Sequence, residues 1–471
     1  MTTSTVPPTL GATEHLERYS RGRQALSAVT EHPVAFSFAV AFALRVVAAT
    51  IITVSRGYIF PDEEGYVGFS GLAASGHLTP SVQYGYGEAL FHEAASFMWP
   101  LTIIFRLFGA HIILAALWAS LFGAVTAALT ALLVARVLTK SWAAAGGLGV
   151  AVFPSQILWS SVVLRESMVW AGLVAIAIGL LSLSRAIRWQ SVVGATALIG
   201  VAMIEVEYLR SWAFLAGGWA VGLSVWLYRP ARPVVTRTIC TCLLVLLPVL
   251  GGLGVAGVGY IHHNTSNLGY ERTVLSAGAK SAFVHPKVVK VTKPVPTTAP
   301  ATTATTATTA PAAPAALADG DLVVPKGIRN DLRALPTGLV AFVLRPFPWQ
   351  HGDGLSYDFA AVEELLYYPL YALALVGLVA YRRRRQIVAF PLMAILGITG
   401  VASEAEGNIG SAFRHRDQLL WAVVFLATLG AYHLYEGWRR RKAGLEAPGV
   451  PEGQIPVPSL EGTRQPVLAP R

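Results

Sequence analysis

Three adjacent carboxylates, Asp62, Glu63 and Glu64, follow Pro61 at the start of a predicted helix, just after the first long apolar run. One acid is enough to accept backbone N–H groups and to oppose the helix dipole. Repulsion among three makes it easier for one of them to take up a proton, which suits a general base. The cluster therefore predicts catalysis, with helix capping as the structural alternative.

Two further charged pairs stand at the ends of apolar runs. Arg165 and Glu166 begin the fourth run. Glu166 is favourable at a helix N-terminus, whereas Arg165 is not and needs a partner, so a functional role and structural pairing both remain open. Glu207 and Arg210 end the fifth run at a spacing of three, which predicts a structural ion pair. Arg45, inside the first run, either snorkels or pairs with an acid, and no chemistry is assigned to it.

Basic residues also open the last apolar run, where the sequence reads Arg414-His415-Arg416. An anion should offset them: either acids such as Glu404, or a bound phosphate, which guanidinium groups and helix N-termini both suit. We predict phosphate binding by Arg414 and Arg416. His415 alone is better read as a helix-end hydrogen-bonding group than as a metal ligand.

Arg345 is a second candidate for phosphate binding. It begins the segment Arg345-Pro346-Phe347-Pro348-Trp349. Rigid prolines between aromatic residues predict a segment lying at the membrane interface, with the tryptophan at headgroup depth.

The elements that position these residues are predicted from composition. The chain has 471 residues, of which 54% are hydrophobic and 13% charged, against about 25% charged residues in soluble proteins. This excludes an ordinary cytosolic enzyme and a disordered protein. Apolar runs of about 20 residues, the length that crosses a bilayer, predict an all-α polytopic membrane protein with about ten transmembrane helices. The runs lie near 35–55, 111–135, 142–160, 166–184, 191–208, 212–228, 238–260, 362–381, 386–403 and 418–437.

The net charge of +10, from 36 Lys and Arg against 26 Asp and Glu, first suggests a nucleic-acid partner. Basic clusters at Arg382–Arg385 and Arg439–Lys442, just past predicted spans, instead indicate the positive-inside rule. We therefore predict no nucleic-acid partner, a plasma-membrane protein with both termini in the cytoplasm, and an active site on the extracytoplasmic face.

The same topology divides the chain into segments. The stretch 89–109, which contains Pro100 and Arg106, is predicted as an interfacial helix rather than a span. Cys240 and Cys242, two residues apart in one apolar run, predict neither a disulfide nor a zinc site. The predicted segments are a cytoplasmic tail at 1–33, spans one to seven at 34–260 with a first outer loop at 56–110, an outer segment at 261–358 with Thr/Ala/Pro repeats at 291–317, spans eight to ten at 359–437, and a cytoplasmic tail at 438–471.

These features resemble the GT-C superfamily of membrane glycosyltransferases, in particular glycosyltransferase family 39, the dolichyl-phosphate-mannose–protein mannosyltransferase-like enzymes, and bacterial polyprenyl-phosphate-sugar transferases. The residues that carry the resemblance are Asp62-Glu63-x-x-Tyr66, in the first outer loop after span one. In this superfamily that loop carries the acidic motif, and interfacial helices follow it.

The resemblance implies that a sugar arrives on a polyprenyl phosphate and that an acceptor hydroxyl attacks its anomeric carbon with inversion. Asp62 is then the base and Glu63 assists, with Tyr66 in the substrate site and Glu64, Glu166 and Glu404 as further candidates. Cationic groups must stabilise the departing phosphate: Arg414 and Arg416 first, then Arg345 and Arg165, with His415 between the first two. No cofactor is expected, although Asp62 and Glu63 could hold a divalent metal.

The chain is predicted to differ from members of this family, because no large folded outer domain is expected after the spans. The acceptor therefore stays open between protein, lipid and cell-wall glycan; membrane lipids are the other expected partners. One alternative is a polysaccharide ligase or polymerase whose reaction depends on the outer arginines and His415. Another is a non-catalytic transporter or scaffold, whose polar residues should line several mid-span positions. Mid-span charges are instead nearly absent, and the candidate polar residues cluster at the outer rim.

Overall fold

The computed structural model describes residues 30–55, 61–77, 94–248, 328–350, 355–405 and 409–443, and within these ranges the secondary structure is helical, with no strand. In chain order the helices are α1 (Pro33–Ser55), α2 (Pro61–Ala74), α3 (Ala95–Phe108), α4 (Ile112–Ala135), α5 (Lys140–Ala151), α6 (Pro154–Ser160), α7 (Glu166–Arg185), α8 (Trp189–Leu209), α9 (Ser211–Trp226), α10 (Pro233–Pro248), α11 (Ile328–Leu344), α12 (Leu355–Tyr381), α13 (Arg385–Ala405) and α14 (Ile409–Lys442).

Seven of the helices in the described ranges are long and apolar enough to cross a membrane, namely α1, α4, α7, α8, α12, α13 and α14. The pair α5 and α6 would make an eighth span. Helices α9 and α10, of 16 residues each within the described chain, are shorter. The prediction of an all-α polytopic membrane protein is confirmed.

The third predicted span, 142–160, is not one straight helix. Helices α5 and α6 meet at a bend of 59°. The cause is Pro154 at the first position of α6, which pushes Phe153 into an extended conformation with φ −68° and ψ 126°. A residue before proline disfavours the helical region, and proline lacks the N–H that would continue the hydrogen-bond ladder.

The chain divides into two compact units. The first unit contains the described residues of Met1–Gly251, Leu366–Gly397 and Asp417–Arg471. In it α4 packs against α1, α5 and α7, and α7 packs against α8. Its core is rich in small residues such as Ala41, Ala124 and Ala127, which allow the close helix approach that stabilises bundles in lipid. Gly377 of α12 and Gly430 of α14 allow a similarly close approach of two helices, because a side chain at either position would overlap the backbone of the other helix.

The second unit contains the described residues of Gly252–Leu365 and Ile398–Arg416. Phe359 of α12 and Phe413 of α14 pack edge to face here, with ring centroids 6.2 Å apart. Gly338 of α11 lies against the Ser403 carbonyl of α13, an approach that any Cβ would prevent. Helix α11 falls within the segment predicted as an outer loop.

Several predicted segments have a limited structural description. The interfacial stretch 89–109 contains α3, whose Ile103, Leu107 and Phe108 are exposed apolar side chains; its position at the interface stays a prediction. The Thr/Ala/Pro segment and most of both predicted tails lie outside the described residues. The predicted segment boundaries therefore stay predictions.

Candidate active site

The acidic cluster lies in the first turn of α2, where Asp62, Glu63 and Glu64 follow Pro61 at the first helical position. Proline fixes the backbone angle that begins a helix, and the acids oppose the helix dipole. The three side chains differ in environment: Glu63 is buried with 1% of its surface exposed, Asp62 is half-buried and Glu64 is exposed. One turn of helix thus gives three carboxylates three different surroundings.

Glu63 has a structural partner. Its Oε2 accepts a hydrogen bond of 2.9 Å from the backbone N–H of Val163, in the buried segment between α6 and α7. Hydrogen bonds to a charged group are among the stronger ones in proteins. This bond attaches α2 to the entrance of α7 and so fixes the position of its neighbour, Asp62.

Tyr66, one turn further along α2, is buried with 2% of its surface exposed. Its ring packs edge to face on Phe97 of α3, with ring centroids 5.4 Å apart. Burial raises the pKa of the Tyr66 phenol above its ordinary value of 10.0. The guanidinium groups of Arg165 and Arg210 act on this pKa in the opposite direction, so both arginines lie within electrostatic reach of the phenol.

The carboxylates of Glu166 and Asp62 also influence the Tyr66 phenol, and they raise its pKa further. Charged groups from the first turn of α2, from the start of α7 and from the junction of α8 and α9 therefore act on one buried tyrosine. The structure brings Asp62 and Tyr66 together with the predicted residues Arg165 and Glu166, all of which belong to the first unit.

Arg210 completes this group through an ion pair that sequence spacing did not predict. It pairs with Glu166 of α7, which is fully buried, and not with Glu207 of its own helix as the spacing suggested. Arg210 has an extended backbone, φ −155° and ψ 91°, between α8 and α9. That break in the helix turns the guanidinium away from the i, i+3 position and toward α7.

The exposure of the charged side chains decides which of them a substrate can reach. Arg165 is half-buried and is the residue that precedes α7. Asp62 and Arg165 are both half-buried, so a carboxylate and a guanidinium group are partly exposed at this place. A partly exposed carboxylate near a guanidinium group can take a proton while the cation stabilises an anion.

The predicted phosphate-binding segment lies in the second unit, and its central arginine is tied to protein acceptors. Arg416 is 2% exposed and forms an ion pair with Glu364 of α12, which is fully buried. Its Nε donates to the Phe342 carbonyl at 2.7 Å, and its Nη2 donates to the Arg345 carbonyl. Each of its three nitrogens thus has an acceptor in the protein. The anion beside Arg416 is Glu364, which the sequence reasoning did not consider.

The other predicted residues of this segment have varied surroundings. Arg414 is half-buried and His415 is 8% exposed. Arg345 lies with its guanidinium carbon 5.9 Å from the Phe347 ring centroid. Glu404 belongs to α13, but its side chain lies outside the described part. Phosphate binding by these residues stays a prediction.

A second polar cluster in the first unit surrounds Arg45, whose neighbours were not identified from the sequence. Arg45 of α1 is fully buried, so it does not snorkel. It donates to the Ser160 hydroxyl at 2.7 Å and to the Ala151 carbonyl at 3.1 Å, the carbonyl that ends α5. The bend between α5 and α6 releases backbone carbonyls, and one of them is satisfied by this arginine.

Asp417 of α14 lies in the same cluster and is also fully buried. Its Oδ1 accepts hydrogen bonds from the Ser155 hydroxyl at 2.7 Å and the Tyr367 hydroxyl at 2.8 Å. Gln156 donates to the Asp417 backbone carbonyl at 2.9 Å. The signal in the sequence was the pair Asp417-Gln418 directly before an apolar run, which the basic triplet beside it overshadowed.

Among the described residues, no three His, Cys, Asp or Glu side chains come together as metal ligands do. No family model, curated protein or solved structure matches the chain. The function of the chain is therefore inferred from the chemistry of its own residues.

Proposed function

We propose that the chain is an integral-membrane glycosyltransferase of the GT-C type. It transfers a sugar from a polyprenyl phosphate to an extracytoplasmic hydroxyl group on a protein, a lipid or a cell-wall glycan. The observation that carries this proposal is the position of α2: Glu63 binds the Val163 N–H, and half-buried Asp62 shares the surroundings of Tyr66 with Arg165. A base and a phosphate-stabilising cation are the two groups that this transfer requires.

In the proposed reaction the acceptor oxygen attacks the anomeric carbon as the bond from that carbon to the phosphate oxygen breaks. Asp62 takes the proton of the acceptor hydroxyl, and the polyprenyl phosphate leaves as an anion. A single displacement inverts the anomeric centre. Arg165 is the proposed stabilising cation, because it is partly exposed and acts electrostatically on the same tyrosine, Tyr66, as Asp62 does.

The proposal includes the finer topology of about ten spans with both termini in the cytoplasm. Helices α9 and α10 and the bent pair α5–α6 would supply the spans beyond the seven long ones. Cysteine labelling of intact cells tests this in a background without Cys240 and Cys242. A cysteine at Tyr86 should react with an impermeant reagent, whereas a cysteine at Arg384 should react only after the membrane is opened.

The central experiment measures transfer of radiolabelled hexose or pentose from polyprenyl phosphates in isolated membranes. Asp62→Asn removes the base and should lower transfer by about 10² to 10⁴-fold, the usual contribution of general base catalysis. Glu64→Gln is the matched control, because it removes one charge from the same turn at an exposed position. Full transfer by a folded Asp62→Asn variant would refute the assignment.

The second candidate is a transporter, and a specific observation favours it. Arg45 and Asp417 are buried in spanning helices beside the break between α5 and α6, and intramembrane charges at discontinuous helices are typical of transport sites. Asp417→Asn separates the two functions in proteoliposomes. Loss of solute uptake with unchanged sugar transfer would favour transport, and loss of sugar transfer by Asp62→Asn alone would favour the transferase.

A further inference from the structure

A cavity of about 1040 Å³ in the first unit lies between the end of α9, the start of α10 and the turn that joins α12 to α13. Its volume reaches the top of the range typical of ligand pockets, about 300 to 1,000 Å³. Among the described residues that line it, the charged ones are Arg229, Arg237, Arg383 and Arg385, with no Asp or Glu. Four guanidinium groups around one cavity repel one another, and an anion between them would relieve that repulsion.

Two of these arginines are held in place by neighbours. The guanidinium carbon of Arg237 lies 4.4 Å from the centroid of the Trp226 ring, and its buried Nε has no hydrogen-bond partner in the described structure. Arg385 donates from Nη1 to the Leu227 carbonyl at 3.2 Å. Both side chains keep further N–H groups for a ligand, and their fixed position lowers the entropy lost on binding.

Exposed apolar side chains also line the cavity. Trp226 is 60% exposed and Val234 is 77% exposed, and both line the cavity beside the arginines. Exposed threonines, Thr238 and Thr241, add hydroxyl groups on α10. A lining that combines guanidinium groups with exposed apolar side chains matches a ligand that has an anionic head attached to an apolar portion.

We propose that this cavity binds a phosphate group, because guanidinium forks recognise phosphate oxygens and basic pockets between membrane helices hold phosphorylated lipid heads. The phosphate has two chemical sources, the head of an anionic phospholipid and a soluble phosphate ion or ester. The site is separate from the acidic turn of α2 and does not depend on the proposed transfer reaction. With the termini inside, it faces the inner leaflet.

The test uses the full chain, purified in a neutral detergent. Binding is measured with short-chain phosphatidylglycerol, with short-chain phosphatidylcholine and with inorganic phosphate as separate probes. Each arginine removed should weaken binding of the anionic probe by about fivefold, so the double variant Arg237→Gln/Arg385→Gln should lose about 25-fold. Arg188→Gln is the matched control, since Arg188 is exposed on a different turn of the predicted inner face and does not line the cavity.

A preference for phosphatidylglycerol that the double variant loses supports the site and identifies a lipid source. Binding of inorganic phosphate with the same dependence on the arginines also supports the site and identifies a soluble source. Equal binding of both lipids with no phosphate binding overturns the proposal, as does an equal loss in Arg188→Gln. If the double variant does not fold, Cys242→Asp places a carboxylate at an exposed lining position and must weaken anion binding.

Discussion

The acidic turn of α2 and the basic segment at the start of α14 make an instructive comparison. Both were predicted from clustered charges beside an apolar run. In α2 one acid, Glu63, is bound to a backbone N–H and its neighbour Asp62 keeps a partly exposed carboxylate. In α14 the arginine at the centre, Arg416, is bound on all sides by the Glu364 carboxylate and two carbonyls.

The difference shows that a charge cluster near a membrane can stabilise the fold or take part in chemistry, and that composition does not distinguish the two roles. A buried charge is retained only with a partner, because removal from water costs several kcal/mol per ion. Glu63, Glu364 and Arg416 are almost fully buried, whereas Asp62 is partly exposed, as a residue that meets a substrate must be. In α2 a buried carboxylate and a partly exposed one occur in the same turn, which makes it the better candidate for catalysis.

The largest expected effect is a loss of stability when Arg416 is removed from the start of α14. Arg416→Ala leaves Glu364 buried without its cation and should destabilise the fold by about 3–5 kcal/mol, measured as unfolding in mixed detergent micelles. Arg416→Met combined with Glu364→Met should recover most of this loss, since the two are then removed together. If the Arg416→Ala protein is stable but has lost sugar transfer, Arg416 has a catalytic role and the start of α14 is the better candidate for the active site.

The next effect concerns activity at α2. Arg165→Ala should lower sugar transfer by about 10² to 10³-fold, the usual result of removing one group that stabilises developing negative charge. Arg165→Lys should keep part of the activity, because it keeps the charge and loses the fork. Stability should change by less than for Arg416→Ala, since Arg165 is half-buried. Equal transfer by wild type and Arg165→Ala would show that Arg165 is not the cation that stabilises the departing phosphate.

A smaller effect tests the attachment of α2. Glu63→Ala removes the acceptor of the Val163 N–H and should cost about 1.5–3 kcal/mol of stability, the range for hydrogen bonds to charged groups. Glu63→Gln keeps an oxygen at the same reach and should cost less. The measurement is the same detergent unfolding curve. An unchanged curve for Glu63→Ala would mean that α2 is positioned by packing alone.

The smallest effect concerns alkaline pH. Because burial raises the pKa of Tyr66 in the folded state above 10.0, the unfolded state loses its proton first as the pH rises. The stability from neutral Tyr66 is therefore complete below pH 10 and is lost as the pH rises through the folded-state pKa. Tyr66→Phe should show a shallower loss of stability above pH 10 than wild type. Equal slopes of stability against pH for Tyr66→Phe and wild type above pH 10 would mean that the Tyr66 phenol is exposed to water in the folded protein.

The fold class could be read from the sequence because long apolar runs leave few alternatives. The bend between α5 and α6 could not be placed by hydropathy, although Phe153-Pro154 is a local signal for it. Hydropathy averages over a window and does not register a single proline within it.

The candidate site was predictable only in part. Asp62, Glu63 and Tyr66 share one helix, so their proximity follows from spacing. The partner of Arg210 is not predictable in this way, because Glu166 lies 44 residues earlier in the chain and the choice over Glu207 depends on the helix break at Arg210. Asp417 and Glu364 were missed for the same reason, since their partners come from distant helices.

Arg45 has a consequence for how the protein is made. Helix α1 enters the membrane early in synthesis, with an arginine that costs about 2.5–3.5 kcal/mol to insert at a helix centre. The groups that act on it arrive later: Ser160 and Ala151, which accept its hydrogen bonds, come with the bent pair, and Asp417, which is within its electrostatic reach, comes only with α14. A chain that stops before α14 therefore contains a first span whose arginine lacks the Asp417 carboxylate.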